Sequence, residues 1–130
     1  RLWDVKTGKE LRRFAGHDGA VSGVAISADG RRILSAANDR IGVRLWDAAT
    51  GHELRRFSGH ESIVYTVAFS PDGRYAASGG GDNDGKTSFD CDVHLWDVES
   101  GKNIKWVASL GYQGSTTRVA VHLRRFSFRN

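Results

Sequence analysis

Histidine, serine and aspartate occur together twice in this sequence, in the same order. The two sets are His17, Ser35 and Asp39, then His60, Ser78 and Asp90. The same three residue types serve as base, nucleophile and orienting acid in Ser-His-Asp hydrolases. The Gly-x-Ser-x-Gly turn that exposes the nucleophile in many such enzymes does not occur in the chain. Because the whole set is duplicated and each copy is accompanied by a Trp, the pattern favours a structural role, and we expect no enzyme activity.

Metal binding has weak support in the sequence. The remaining histidines, His52, His94 and His122, lie at unrelated positions. The acidic stretch 82–85 resembles part of a calcium loop, but position twelve of that loop, where a Glu ligand is required, holds Val93. The stretch therefore favours a solvated insertion, and no metal or cofactor is expected.

Composition and charge limit the class of protein. The chain has 130 residues with 39% hydrophobic and 26% charged residues, which is typical of one globular domain. No apolar run approaches a membrane span, so no membrane association is expected. The single cysteine, Cys91, excludes an internal disulfide framework and fits a reducing, cytoplasmic compartment. The net charge of +4 comes from residues 101–130, which contain six basic residues and no acid.

The elements that must position these residues follow an internal repeat. Leu2-Trp3-Asp4 recurs as Leu45-Trp46-Asp47 and again as Leu95-Trp96-Asp97, at steps of 43 and 50 residues. The segment 8–14 returns, nearly unchanged, as 51–57. Such self-similarity at a fixed period is the signature of a repeat architecture.

Each repeat predicts four short strands. In the first complete unit they cover residues 21–27, 32–36, 43–47 and 53–57. Asp29-Gly30 predicts a tight turn between the first two, because glycine readily adopts the positive φ that such turns need. The third strand alternates apolar and polar residues, which is typical of β-structure, and helical spacing is sustained nowhere. The fold class predicted is all-β.

The Gly-His pairs, the Asp-Gly turns and the Leu-Trp-Asp strand ends resemble WD repeats, whose units form four-stranded antiparallel blades of a β-propeller. The near-identity of the repeats resembles long arrays common in bacterial WD-repeat proteins. The resemblance covers residues 1 to about 108 and implies four segments. They are the last two strands of a preceding blade (1–16), a full blade (17–58), a full blade with a loop insertion at 79–89 (59–108), and a degenerate blade start or basic tail (109–130).

The resemblance also implies a buried chain of hydrogen bonds in each blade. The expected members are His17, Ser35, Asp39 and Trp46, then His60, Ser78, Asp90 and Trp96. Asp90 precedes Trp96 by six residues, whereas Asp39 precedes Trp46 by seven. One residue is therefore inserted near Ile41-Gly42, and Asn38 is the alternative to Asp39.

WD-repeat proteins are generally non-catalytic platforms for protein complexes, so the resemblance implies other proteins as partners. They usually meet the face that bears the Gly-His loops and the turns between second and third strands. The candidate contact residues on that face are Tyr65, Phe89, Ile63, Asn38 and Arg40. For the two aromatic residues, packing between blades is favoured slightly over partner contact.

Nucleic-acid binding is the rival function. It would use the basic C-terminal stretch, where Phe126 and Phe128 lie among arginines. The Arg-Arg pairs at 12–13 and 55–56 instead predict solvated outer strands, because they alternate with Glu at repeat spacing. The balance favours a protein partner over nucleic acid.

Two blades do not close a propeller, which typically needs four to eight. Three alternatives follow. The chain is a fragment of a longer propeller, or it forms a ring with further copies of itself, or its C-terminal tail packs irregularly. The first is favoured, and the expected state is an incomplete ring.

Overall fold

The computed structural model describes residues 1–60, 63–81 and 92–108, with the backbone alone for 92 and 105–108. These residues form an all-β structure, as predicted, with ten strands. The strands are β1 (Leu2–Trp3), β2 (Glu10–Arg12), β3 (Val21–Ile26), β4 (Arg32–Ala37), β5 (Val43–Asp47), β6 (Glu53–Phe57), β7 (Val64–Phe69), β8 (Tyr75–Gly80), β9 (Asp92–Asp97) and β10 (Asn103–Ala108). None of the described segments forms a helix of the length and apolarity that a bilayer crossing needs.

The strands form three antiparallel sheets. The N-terminal sheet pairs β1 with β2, the first four-stranded sheet has the order β3-β4-β5-β6, and the second has the order β7-β8-β9-β10. Each four-stranded sheet is therefore a simple meander, which suits the short turns between consecutive strands.

Aspartates fix the turns at one end of the sheets. Asp29 accepts hydrogen bonds from Ser27 Oγ at 2.6 Å and from the backbone N–H of Arg31 at 3.0 Å. Asp47 accepts the backbone N–H of Thr50 at 2.7 Å, and Asp97 accepts that of Ser100 at the same distance. These backbone hydrogen bonds lower the pKa of Asp47 and of Asp97. The aspartate of the Trp-Asp pair thus serves the turn, whereas the tryptophan points into the sheet stack.

The main core lies between the two four-stranded sheets. Its buried side chains are Leu34, Ala36, Val43, Leu45 and Phe57 from the first sheet, and Val64, Val67, Ala76, Trp96 and Val98 from the second unit. β3 approaches β7 closely, since Ser22 Oγ donates to the carbonyl of Val64 at 2.5 Å. A Cβ on Gly23 would lie only 2.9 Å from the carbonyl oxygen of Tyr65, so this approach requires glycine.

The structure corrects the start of the proposed insertion at 79–89. Gly79 pairs with Val93, and Gly80 pairs with Val64, so both glycines belong to β8. A Cβ on Gly80 would lie 2.8 Å from the carbonyl oxygen of Ile63 and 2.9 Å from His60 Nδ1. Gly80 thus serves close packing within a strand rather than a turn. Residues 82–89 of the insertion, and the tail 109–130, lie outside the described residues.

Candidate functional site

The first four-stranded sheet contains a continuous hydrogen-bond chain in its interior. His17 Nδ1 lies 2.6 Å from Asp39 Oδ2, and His17 Nε2 lies 2.6 Å from Ser35 Oγ. Trp46 Nε1 donates to the same hydroxyl oxygen at 2.8 Å. The ionised carboxylate can only accept, so Nδ1 carries the ring proton and, in the neutral imidazole, Nε2 accepts from the Ser35 hydroxyl.

Asp39, rather than the alternative Asn38, ends this chain. Burial raises the pKa of its carboxyl, but the hydrogen bonds from His17 and from the backbone N–H of Gly42 outweigh that effect and lower the pKa to about 2. The side chains of His17 and Asp39 are 7% and 6% exposed. The residue that lengthens the Asp39–Trp46 spacing lies in the turn between β4 and β5. That turn contains the N–H of Gly42, whose φ is 74°.

The second four-stranded sheet repeats part of the chain. His60 Nε2 lies 2.7 Å from Ser78 Oγ, and Trp96 Nε1 donates to that oxygen at 2.8 Å. Asp90, expected as its fourth member, lies outside the described residues. The His60 ring also packs against His94, with the ring centroids 4.1 Å apart.

A polar pair beside each chain differs between the two sheets; Arg44 and His94 are buried, whereas Glu53 is half-buried and Asn103 is exposed. In the first sheet, Arg44 Nη1 lies 2.6 Å from Glu53 Oε2, and Arg44 Nη2 lies 3.7 Å from Asp39 Oδ2. At the corresponding places the second sheet has His94 and Asn103, whose Nδ1 and Nδ2 atoms are 2.5 Å apart. The first sheet thus holds an ionic arrangement where the second holds an imidazole and an amide.

The hydroxyls of both chains are committed to internal hydrogen bonds. Ser35 is 6% exposed and Ser78 is 0% exposed, and each oxygen contacts both a His ring and a Trp N–H. Ser35 also lines a cleft of about 140 Å³, but its hydroxyl, like that of Ser78, is buried and already bonded to a His ring and a Trp N–H, which leaves it poorly placed to attack a substrate. Within the described part of the chain, no group of three or more His, Cys, Asp or Glu side chains is arranged to hold a metal ion.

The candidate contact residues lie at one end of the sheets. Asn38 and Arg40 are exposed in the turn between β4 and β5. The backbone N–H of Asn38 donates to the carbonyl of Ala20 at 2.9 Å, which joins that turn to the loop after His17. Ile63 and Tyr65 are half-buried at the start of β7. Phe89, the fifth candidate, lies outside the described residues.

We call this end the turn face and define it by residues 18–20, Asn38–Gly42, Ile63 and Tyr65. Its parts come from two neighbouring sheets. The hydrogen bond from Ser22 to the Val64 carbonyl holds these parts together, because it joins the starts of β3 and β7. The buried chain fixes the turn from below, since Asp39 accepts the backbone N–H groups of Ile41 and Gly42 at 3.0 and 2.8 Å.

One contact between the sheets was missed by sequence reasoning. The pair Arg55-Arg56 was expected to be solvated, and Arg56 is exposed and bound to Glu53. Arg55, however, is half-buried and donates to the carbonyls of Glu99 at 2.6 Å and Ser100 at 3.2 Å. The expectation was wrong for Arg55 because its guanidinium crosses to the next sheet. The position of Arg55 in the repeat could have indicated this contact. Arg55 is the repeat equivalent of Arg12, and each packs against a glycine of the following unit, Arg12 against Gly51 and Arg55 against Gly101.

Comparison with known proteins adds family evidence to this geometry. A family model described as "WD domain, G-beta repeat" matches residues 8–47 and 51–97. Autophagy-related protein 16 of Arabidopsis thaliana is 49% identical over 41 residues, which cover 32% of this chain and 8% of that protein. Eukaryotic translation initiation factor 3 subunit I of Culex quinquefasciatus is 41% identical over 39 residues, which cover 30% of this chain and 12% of that protein.

The matched stretch is therefore a small part of each of these relatives. Both come from eukaryotes, so these matches do not support the bacterial affinity expected from the near-identical repeats. The family model covers most of the chain, and the four-stranded antiparallel sheets are the blades that the repeats imply. The chain belongs to the WD-repeat family.

Proposed function

We propose that this chain is a non-catalytic module for protein–protein interaction that meets its partner through the turn face. The observation that carries the proposal is the arrangement at that end of the sheets. Exposed Asn38 and Arg40 lie in the turn that Asp39 fixes, and half-buried Ile63 and Tyr65 lie at the start of β7, which Ser22 joins to β3. Polar groups around a small apolar centre are typical of protein interfaces.

The buried chains have an architectural role in this proposal. Each hydrogen-bond chain links the loop before the first strand to the second and third strands of one blade. In this proposal the blades are the repeat units 17–58 and 59–108. The buried, internally bonded serines support an assignment without catalysis, and one of the relatives is by name a subunit of a larger factor. The single cysteine supports a cytoplasmic location.

Photo-crosslinking tests the proposal. A photoreactive residue at Asn38 should crosslink to specific proteins in extract from the source cells, and Arg40→Glu should reduce that yield at least about fivefold by reversing a charge at the interface. The matched positions are Ala28 for the crosslinker and Arg31→Glu for the charge, both exposed in the turn at the opposite end of the sheet. Equal yields from both ends, or no effect of Arg40→Glu, would reject the turn face as the binding surface.

Nucleic-acid binding remains the rival proposal, and the basic residues of 101–130 support it. In the described part of the chain, Arg13 and Arg56 contact Glu10 and Glu53. A filter-binding titration with single-stranded and duplex probes across salt concentrations decides between the two. Binding that weakens steeply with salt supports the rival, and absence of binding at low salt rejects it.

A further inference from the structure

The outer strands β2, β6 and β10 each contain a β-bulge at the same position of the repeat. In β2, Glu10 and Arg12 pair with β1, and Leu11 between them has no partner. Leu54 of β6 and Ile104 of β10 are left unpaired in the same way. A bulge re-aims the side chain of its extra residue, so these three positions share a geometry that their neighbours lack.

The three bulge residues are aliphatic and exposed. Leu11, Leu54 and Ile104 are 55%, 50% and 43% exposed. The other large apolar residues that are exposed in the described part of the chain lie in residues 1–5 or on β3. Leu54, however, belongs to the sheet that packs against a neighbour on each face, through Trp46 and through Phe57. Its exposure is therefore a property of the outer strand, and we call Leu11, Leu54 and Ile104 the outer aliphatic set.

Two simpler explanations do not account for this set. A bulge protects a sheet edge from pairing with another chain, but natural edges combine that device with charged residues rather than aliphatic ones. Duplication of one unit explains Leu11 and Leu54, which lie in nearly identical segments, but it does not explain Ile104. Residues 103–108 share no identical residue with residues 53–58, yet position 104 is still aliphatic.

The outer strands follow one another from unit to unit through direct contacts. Arg12 of β2 packs against Gly51 in the turn before β6, and Arg55 of β6 packs against Gly101 in the turn before β10. The second contact includes hydrogen bonds from the Arg55 guanidinium to the backbone of that turn. A ligand that follows the outer strands therefore meets an exposed aliphatic residue in each unit.

The surroundings of the outer aliphatic set are basic. Seven Lys and Arg residues but two Glu residues lie in the three segments around the bulges, which are 9–13, 52–56 and 102–106. Both glutamates already pair with an arginine of their own segment. The C-terminal stretch 109–130 has four arginines and no acid, so its charge does not suit it as a cover for these strands. The charge of an acidic ligand, by contrast, is complementary.

We propose that the outer strands form a second interaction surface, which binds an acidic segment of a partner protein whose aliphatic side chains pack on the outer aliphatic set. The carboxylates of that segment lie beside the basic residues around the bulges, and its apolar side chains remove the set from water. The interrupted ladders favour contact through side chains over addition of a strand. The bulges of β6 and β10 lie near the turns of Asp47 and Asp97, at the opposite end of the sheets from the turn face, so this inference goes beyond the proposed function.

The probe is a labelled amphipathic peptide of Glu, Leu and Ala, about four helical turns long, with its leucines on one face. Fluorescence anisotropy with the full chain at low ionic strength should show saturable binding that weakens as salt is added. Leu54→Asp should weaken binding at least about tenfold, because the new carboxylate faces the leucines and repels the glutamates of the peptide. Val24→Asp is the matched control, since Val24 is 68% exposed on β3 and the change in charge is the same, and its affinity should equal that of the unmodified protein.

A second peptide and a second measurement test the charge and the place of the contact. A peptide with Lys in place of Glu should bind at least about tenfold more weakly than the parent, because the segments around the bulges are basic. In NMR spectra of the unmodified protein, the methyl signals of Leu54 and Ile104 should shift during the titration with the acidic peptide. The methyl signals of Val24 and Ile26 on β3 should not shift.

Any of four outcomes would overturn the proposal. The acidic peptide does not bind the full chain, as is expected if another part of the chain covers the outer aliphatic set; or Val24→Asp weakens binding as much as Leu54→Asp does. The other two are equal binding of the Lys peptide, and binding that leaves the methyl signals of Leu54 and Ile104 in place. If the acidic peptide does not bind but vesicles of phosphatidylserine and phosphatidylcholine do, and Leu54→Asp abolishes that binding, the surface belongs to a membrane instead.

Discussion

Acid unfolding should reveal the contribution of Asp39 to stability. Its carboxyl has a pKa of about 2 in the folded chain, against an ordinary value of 3.8. A folded-state pKa below the unfolded one means that the stabilisation is complete above the unfolded value and is lost as pH falls through the folded value. The loss therefore falls between about pH 5 and pH 2 and amounts to about 2 kcal/mol in the free energy of unfolding.

The perturbation is Asp39→Asn, which nearly preserves the shape of the side chain but cannot ionise. Urea unfolding, followed by tryptophan fluorescence, gives the free energy of unfolding for both proteins at several pH values. Other carboxyls with lowered pKa values, such as Asp29 and Asp47, titrate in both proteins and cancel in the difference. The difference between the two proteins should shrink by about 2 kcal/mol as pH falls from 5 to 2.

Ile33→Val is the matched control for a general loss of stability. It removes one methylene from a buried position and should cost about 1 kcal/mol at every pH, so its curve should run parallel to that of the unmodified protein. A pH-independent difference between Asp39→Asn and the unmodified protein would refute the account of the His17–Asp39 contact.

Three further substitutions probe other contacts, each measured by urea unfolding at neutral pH. Ser78→Ala should cost about 1–3 kcal/mol because it leaves the buried N–H of Trp96 without its acceptor; in a double-mutant cycle with Trp96→Phe the two losses should be non-additive, and simple additivity would contradict the contact. Arg55→Ala should cost about 1–3 kcal/mol because it removes hydrogen bonds to the next blade, whereas Arg56→Ala, which breaks an exposed ion pair, should cost less than about 1 kcal/mol. Equal losses would show that the Arg55 hydrogen bonds do not stabilise the contact with the next blade. Gly80→Ala should cost more than about 1 kcal/mol, because the new Cβ meets a backbone oxygen at 2.8 Å, and a neutral effect would disprove the close approach of β8 to Ile63.

The strands could be predicted well because the same strand and turn residues occur in both repeat units. Apolar alternation, the Asp-Gly turns and the Trp-Asp ends place each strand to within one or two residues, so the third strand was expected at 43–47 and is found at Val43–Asp47. Spacing alone left Asp39 and Asn38 as alternatives, and only the geometry shows which side chain reaches His17.

What the sequence did not predict depends on contacts between elements far apart in the chain. Arg55 looked solvated because its charge pattern describes β6 alone, whereas its hydrogen bonds go to a turn 44 and 45 residues later. Gly79 and Gly80 looked like loop residues because a glycine run has the same composition whether it bends or packs closely. Val21 and Val24 of β3 are exposed, whereas their repeat equivalents Val64 and Val67 of β7 are buried. Because the residue types are the same, their burial depends on neighbouring strands and not on the sequence of the strand itself.

The different polar pairs of the two blades have a consequence for assembly. Neighbouring repeats with nearly the same strands can exchange them while folding, and such exchange traps a chain in the wrong arrangement. If β10 took the place of β6, Arg44 would lose the Glu53 carboxylate and meet Asn103 instead, which would weaken the ionic partnership of a guanidinium that is 3% exposed. Arg44 would keep Asp39 at 3.7 Å, so its charge would not be left uncompensated, but the loss of the closer Glu53 partner still favours the correct pairing of these strands.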